Sequence, residues 1–238
     1  MQKKVTVICL KYGKKYHSEY VNKLFKMVSR HLSIPHDFIC ITENKKGLNP
    51  KIKVIPLDLK KGIKGWWYKP FVFSRDLNIK TETVLFLDLD IIIFNSIDKL
   101  FTFEEEKSFL VLNGLTSKNI DGINSSCFRF KRSEYFHLYD DYIQNYENII
   151  KNYVGDQDWL GDQIQHNHWP KEWIKSFKHG IMEWPEHMPI TKATKAQKSW
   201  KYITKTEPKP HKETAIAVFH GRPNPHELHS RWSNTNWK

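Results

Sequence analysis

Apolar positions in the first hundred residues alternate between short continuous runs and a spacing of three to four, the periods of buried strands and of helices. Val5 to Leu10 is the first run and predicts a strand. From Ser18 the positions Tyr20, Val21, Leu24, Phe25 and Val28 recur at helical spacing, with Ser18 as N-cap and His31 near the end. Pro35 breaks that pattern, Asp37 to Ile41 predicts a second strand, and Lys53 to Ile55 a third ahead of Pro56. Strand, helix and strand at this spacing open an α/β fold with a largely parallel sheet. Ligands of such sheets sit beyond the C-terminal strand ends, which places Lys11, Tyr12, Thr42 and Glu43 on one edge.

Val84 to Phe94 reads as one further strand, interrupted by two carboxylates, Asp88 and Asp90, on either side of Leu89. Burying an ionised carboxylate without a partner costs several kcal/mol, so the pair calls for a compensating cation or donor cluster. Alternation points Asp88 and Asp90 to one side and Leu89 to the other. That arrangement suits a hard divalent cation with oxygen ligands, Mg2+ or Mn2+. A turn or a helix cap is the plainer use of an Asp-x-Asp; the apolar runs on both sides favour the metal.

The remaining pattern is less regular. Gly65 to Phe71 is an aromatic cluster around Lys69, which either snorkels to water from a core corner or pairs with a phosphate or carboxylate. Ile97 to Phe103 is a short amphipathic piece, Phe109 to Leu112 a strand, and Asn124-Ser125-Ser126 a polar lip entering another. Tyr135 to Tyr146 has helical periodicity. In Gly155 to Ile164, Asp156 either caps a short helix or contacts substrate, with Gln157 and Asp158 beside it. Residues 187–206 contain no acid while Lys192, Lys195, Lys198, Lys201 and Lys205 recur, a solvated helix face or a contact for an anionic ligand or membrane surface. Ala215 to Phe219 is the last strand and runs into His220-Gly221-Arg222. His220 would add a nitrogen to the two carboxylates, which favours Mn2+, and Gly221 with Arg222 suits a phosphate.

Composition narrows the class. The 238 residues suffice for one large domain, and 39% hydrophobic with 14% aromatic residues argues against disorder. A net charge of +12 predicts anionic partners without choosing among nucleic acid, membrane and phosphorylated ligands. Cys9, Cys40 and Cys127 lie in apolar runs with no Cys-x-x-Cys pair, as buried free thiols of a reducing compartment do. With neither a leader-like N-terminus nor an apolar span of membrane length, the expected location is the cytosol, peripheral to a membrane if the basic segment binds one.

The N-terminal strand, Leu-Phe-Leu-Asp88-Leu89-Asp90, Asn124-Ser125-Ser126, Asp156-Gln157-Asp158 and Val-Phe-His220-Gly221-Arg222-Pro223 follow each other in an order that resembles the GT-A glycosyltransferases. The resemblance is greatest to the retaining family-eight type of glycogenin and bacterial lipopolysaccharide galactosyltransferases. It implies a Rossmann-like mixed sheet flanked by helices over 1–238, with 1–112 binding nucleotide and 113–238 facing the acceptor. It further implies Asp88, Asp90 and His220 holding Mn2+, or Mg2+, against the diphosphate of a nucleotide sugar, usually a UDP-hexose. Leu10 and Tyr12 would lie near the nucleotide, and Lys69, Leu89, Gly221 and Arg222 near ribose and phosphates. Asn124, Ser125 and Asp156 would flank the donor sugar, and Gln157 would face its anomeric carbon. The acceptor would be a glycan or lipid-linked sugar. Ser125-Ser126 departs from the family's small-Gly pair, and Arg222 stands near the family's usual Lys.

Two other classes share features. A haloacid-dehalogenase phosphohydrolase also opens a motif with Asp-x-Asp, Asp88 then being the nucleophile, but Ile91-Ile92 replaces its Gly-containing continuation. Basic charge with interleaved aromatics suits a nucleic-acid binder, yet no recognition motif is present and paired carboxylates repel phosphate.

Overall fold

The computed structural model describes residues 3–115, 122–181 and 207–238. In chain order its strands are β1 (Val5–Lys11), β2 (His36–Thr42), β3 (Lys53–Pro56), β4 (Thr83–Leu87), β5 (Ile91–Ile93), β6 (Phe109–Asn113), β7 (Ile123–Lys131), β8 (Asn167–His168), β9 (Ile174–Ser176) and β10 (Ile216–Val218). Seven form one sheet in the order β3-β2-β1-β4-β7-β6-β8, and β5-β10-β9 form a small second sheet. Neighbours from β3 to β4 are parallel, β7 runs against both β4 and β6, and β8 is parallel to β6. The helices are α1 (Ser18–His31), α2 (Lys99–Thr102), α3 (Phe136–Asn152), α4 (Asp156–Gln163) and α5 (Arg231–Asn236). The mixed α/β architecture is the one the pattern predicts.

Alternation sorts the central strands between two cores. Val7, Cys9, Leu85 and Leu87 pack with Val21, Leu24 and Val28 of α1. Ile8, Leu10, Val84 and Phe86 pack on the opposite face with Trp67, Tyr142 and Trp159. Because both faces are covered, these strands read as unbroken apolar runs. Cys9 stands opposite Cys40 across β1 and β2, and all three cysteines are buried and free. Burial pushes the Cys9 and Cys127 thiols up, so they serve as packing groups.

Several details differ from the expectation. Ser18 is the first helical residue of α1, and His17 takes the N-cap position with no side-chain cap. Helix α3 extends to Asn152 with non-helical backbone at Asn145, and α4 has Gly155, not Asp156, as its N-cap. The stretch from Val84 to Phe94 is two strands in two sheets. Asp88 N–H donates to Ser126 O at 2.9 Å at the end of the β7 ladder, and Asp90 O accepts from Phe219 N–H at 3.0 Å beyond β10. The chain therefore changes sheets at the two carboxylates, which are the residues least tolerable inside a strand buried on both faces. Strands β8 and β9 and helix α5 carry too few periodic positions to have been predicted. The basic segment 187–206 lies outside the described residues.

One buried cation fastens the edge of this framework. Arg129 of β7 donates to the carbonyls of Leu100, Phe101, Phe103, Glu104 and Lys107, at 2.7 to 3.4 Å. These carbonyls lie at the end of α2 and in the turn after it, where Glu104 O also accepts from Lys107 N–H at 3.0 Å. Arg129→Leu is expected to lower unfolding free energy by roughly 3 kcal/mol, because several buried carbonyls lose their donors at once. Urea unfolding measures this, and a loss below about 1 kcal/mol would show that the turn reorganises freely.

Candidate functional site

The sheet order reverses beside β1. The chain builds outward from β1 through β2 to β3, then returns to lay β4 on the other side of β1. Crevices form where successive strands diverge in this way, beyond their C-terminal ends. A cavity of about 350 Å³ opens at that place. Leu10 and Tyr12 enter it from β1; Asp88, Leu89 and Asp90 from the junction after β4; Asn124 and Ser125 from β7. Lys69, then Asp156, Gln157 and Asp158 of α4, and His220 after β10 complete the predicted set within it. Gly221 and Arg222 are not among its lining residues. The Arg222 side chain is 73% exposed, with Nε 3.7 Å from Glu227 Oε1.

Lys69 does not snorkel. It is only 7% exposed and sits in a 3-10 segment, Gly65–Phe73, fixed by the Tyr142 hydroxyl donating to Trp67 O at 2.6 Å. Its ammonium donates to Ser125 Oγ at 2.8 Å and Ser125 O at 3.1 Å, and lies 3.3 Å from both Asp88 Oδ1 and Asp156 Oδ2. Ser125 Oγ in turn donates to Asp156 Oδ2 at 2.7 Å. Burial opposes the charge on Lys69, but Asp156 and Asp88 outweigh it and hold the ammonium protonated well above its usual range. One cation is shared between two acids. Burial consequently still pushes Asp156 up, ahead of the lowering by Lys69 and Ser125. Asp156 opens α4 as its first residue, but its side chain is spent on this cluster instead of on the helix end.

Asp90 lies on the other side of the junction. Tyr16 donates to its Oδ2 at 2.6 Å. Burial, and then repulsion from Asp88, raise its carboxyl to about 6, against the lowering by Tyr16 and Lys15. His220 reaches the cavity because β10 pairs with β5 in a register that puts Val218 opposite Ile91. Its Nε2 shares a hydrogen bond of 2.7 Å with Ser176 Oγ. Burial, Lys178 and His179 lower its pKa to about 4, so the ring is neutral. Asn124 Oδ1 accepts from Ser126 N–H at 3.1 Å, folding that side chain onto its own strand.

Sequence reasoning missed Lys15, Tyr16, Trp66, Val154 and Phe219, which also line the cavity. Trp66 is 52% exposed and Val154 87% exposed, and together they give the opening an apolar lip. Val154 stands just ahead of Gly155, where no periodicity marks it. Trp66 and Trp67 adjoin in sequence, and only packing distinguishes the exposed ring from the buried one.

No protein-family model matches the sequence, and no curated protein sequence does. Solved structures are similar. The glycosyltransferase GlyE of Streptococcus pneumoniae TIGR4 superposes with a TM-score of 0.66 at 15% identity, over 98% of this chain and 59% of GlyE. The galactosyltransferase LgtC, solved in complex with donor and acceptor sugar analogs, gives 0.60 at 10% identity over 92% of this chain and 88% of LgtC. The fold is that of these glycosyltransferases. This chain spans 59% of the length of GlyE.

Within that fold the cavity is acidic although the chain is basic. Among the described lining residues, Asp88, Asp90, Asp156 and Asp158 face Lys15 and Lys69, a formal excess of two negative charges. Among the described residues no three His, Cys, Asp or Glu side chains are gathered closely enough to enclose a metal by themselves. Asp88 and Asp90 nevertheless fit a dication that takes one or two carboxylates from protein and the rest of its shell from substrate oxygens and water. Burial is the main cause of the raised Asp90 carboxyl, and the repulsion from Asp88 that adds to it is the part such an ion would relieve.

The clamp itself can be tested by unfolding. Lys69→Met strands the buried Asp156 and takes the cation from the partly exposed Asp88, and is expected to cost roughly 3 kcal/mol. Adding Asp156→Asn should recover a good part of it, a non-additivity of about 1 kcal/mol or more in a double-mutant cycle. Strict additivity in urea melts would show that Lys69 and Asp156 do not interact.

Proposed function

We propose that the protein is a metal-dependent glycosyltransferase moving a hexose from a nucleotide-diphosphate sugar, most simply a UDP-sugar, to a glycan or lipid-linked acceptor with retention. The observation that carries this reading is the acidic floor of Asp88 and Asp90 at the switch between β1 and β4. An anionic diphosphate enters such a site only with a cation. Asp88 and Asp90 would hold Mn2+, or Mg2+, and His220, whose ring is neutral, would join them as a third ligand once the site draws in around the ion, since the three side chains are not gathered without it. When bound, the ion would neutralise charge developing on the departing diphosphate.

The chain's own groups then take distinct roles. Leu10 and Tyr12 would receive the nucleotide, the Tyr12 ring lying 5.6 Å from that of Tyr68. Leu89, Asn124 and Ser125 would line the donor's path. Lys69 is a positioning residue, since its ammonium is committed to Asp88, Ser125 and Asp156. In a retaining reaction the leaving phosphate can accept the acceptor's proton; in an inverting one Asp158, exposed where Asp156 is engaged by Lys69 and Ser125, would be the base. Gln157 would face the anomeric carbon and the exposed Asp158 the incoming sugar. Gly221 and Arg222, outside the cavity lining, would contact phosphate only at its margin. The apolar lip of Trp66 and Val154 offers a platform for the C–H face of a sugar ring. Residues 1–112 would form the nucleotide half and 113–238 the acceptor half, and a membrane-bound acceptor could be approached through the basic 187–206 segment. Nucleic acid fits this site poorly, because among its described lining residues the acids outnumber the lysines.

A thermal-shift panel of nucleotide sugars with and without Mn2+ tests the reading. A uridine diphosphate sugar with Mn2+ at about a hundred times its Kd should stabilise the fold by roughly 2.7 kcal/mol, and Asp88→Asn should abolish the effect. Failure of uridine, guanosine and cytidine donors alike would sink the assignment. Tyr16→Phe removes the donor that orients Asp90 and is expected to weaken Mn2+ binding about tenfold or more, measured by electron paramagnetic resonance titration.

A further inference from the structure

Beyond the wall that carries His220 lies a second cavity of about 300 Å³. Its chemistry is the reverse of the first. Lys171, Lys175 and His179 line it beside the uncharged Asn113 and Ser176, and no acidic side chain is among its described lining residues. Glu172 forms a long i,i+3 ion pair with Lys175, Oε1 to Nζ 4.0 Å, but its side chain is 53% exposed and is not among the cavity's lining residues, so the pair is weak. Lys175 is held in place by packing. A Cβ on Gly180 would lie 3.0 Å from both Lys175 Cβ and Cδ, so the glycine leaves room for the lysine stem against the turn.

The two cavities share a thin partition. Ser176 lines the second and bonds His220, which lines the first. His179, also in the second, stacks on His220 with ring centroids 5.4 Å apart. A molecule spanning this edge would place one part by the acidic floor and another among the lysines. Two lysines on a wall with no acid among its described lining residues select an anionic group, and point-charge lysines recognise phosphate or carboxylate, with the neutral His179 ring as a further hydrogen-bonding partner.

The geometry points to the second cavity as the seat of an anionic substituent, phosphate or carboxylate, on the acceptor. This assignment of the acceptor class as an acidic sugar rests on the transferase reading of the first cavity. It also gives the chain's net charge of +12 a local use that the acidic donor cavity does not.

The test uses the full chain with Mn2+ and saturating UDP, so that the first cavity is occupied. Calorimetry then compares glucose 6-phosphate, glucuronate and glucose. At least one anionic sugar should bind about tenfold or more tighter than glucose, the tighter of the two naming the anion. Lys171→Gln with Lys175→Gln should remove that preference while leaving UDP affinity unchanged. Equal binding of all three sugars, or a preference that survives both substitutions, would overturn the proposal. If UDP with Mn2+ does not bind while a lysine-dependent anion preference persists, the transferase reading falls and the anion site stands.

Discussion

A single ammonium group, buried behind the end of the central strand, makes the rest of this arrangement tolerable. Lys69 lies within reach of Asp88, Asp156 and both oxygens of Ser125. Without it, Asp156 would keep the Ser125 hydroxyl and the partly exposed Asp88 would lose its ammonium partner, a cost of several kcal/mol against a domain's marginal stability. The clamp also joins three elements that are far apart in sequence: the 3-10 segment, the end of β4 and the start of α4. Site and fold are thus held by the same contacts, and Asp156 cannot be read as a free acid or as a helix cap.

The second constraint is the change of sheet at Asp88-Leu89-Asp90. Strand β4 ends against β7, and β5 begins against β10 only four residues later. That crossing leaves the carboxylates at a boundary with access to solvent, and the register of β5 on β10 carries His220 to the same boundary. The Asp90 carbonyl, bonded to Phe219 N–H, is the fixed point of the hinge between the sheets.

Charge is distributed against the average. A molecule of net charge +12 attracts anions from a distance, while its principal cavity holds excess negative charge that only a cation can offset. The second cavity, with Lys171, Lys175 and His179, lies one imidazole away. Opposite potentials on either side of His220 would orient a long, unevenly charged ligand, whereas bulk charge alone would merely collect it.

The sequence by itself determined the α/β class, the parallel start of the sheet and most of the residues that line the principal cavity. Continuous apolar runs are the direct consequence of strands buried on both faces, and carboxylates interrupting such a run are costly enough to stand out. Twelve of the fourteen residues read from it meet in one cavity, because motif residues at strand ends converge wherever the sheet order reverses. Only tertiary structure decided that Val84 to Phe94 serves two sheets, since periodicity records burial and not the partner strand. It likewise decided that Lys69 faces inward, that Trp66 and not Trp67 is exposed, and that Tyr16 supports Asp90. Each depends on contacts between residues dozens of positions apart, which local pattern does not encode. Gly221 and Arg222 show the converse: adjacency to His220 in sequence did not carry them into the cavity, because the chain is exposed at Gly221 and Arg222, immediately after His220.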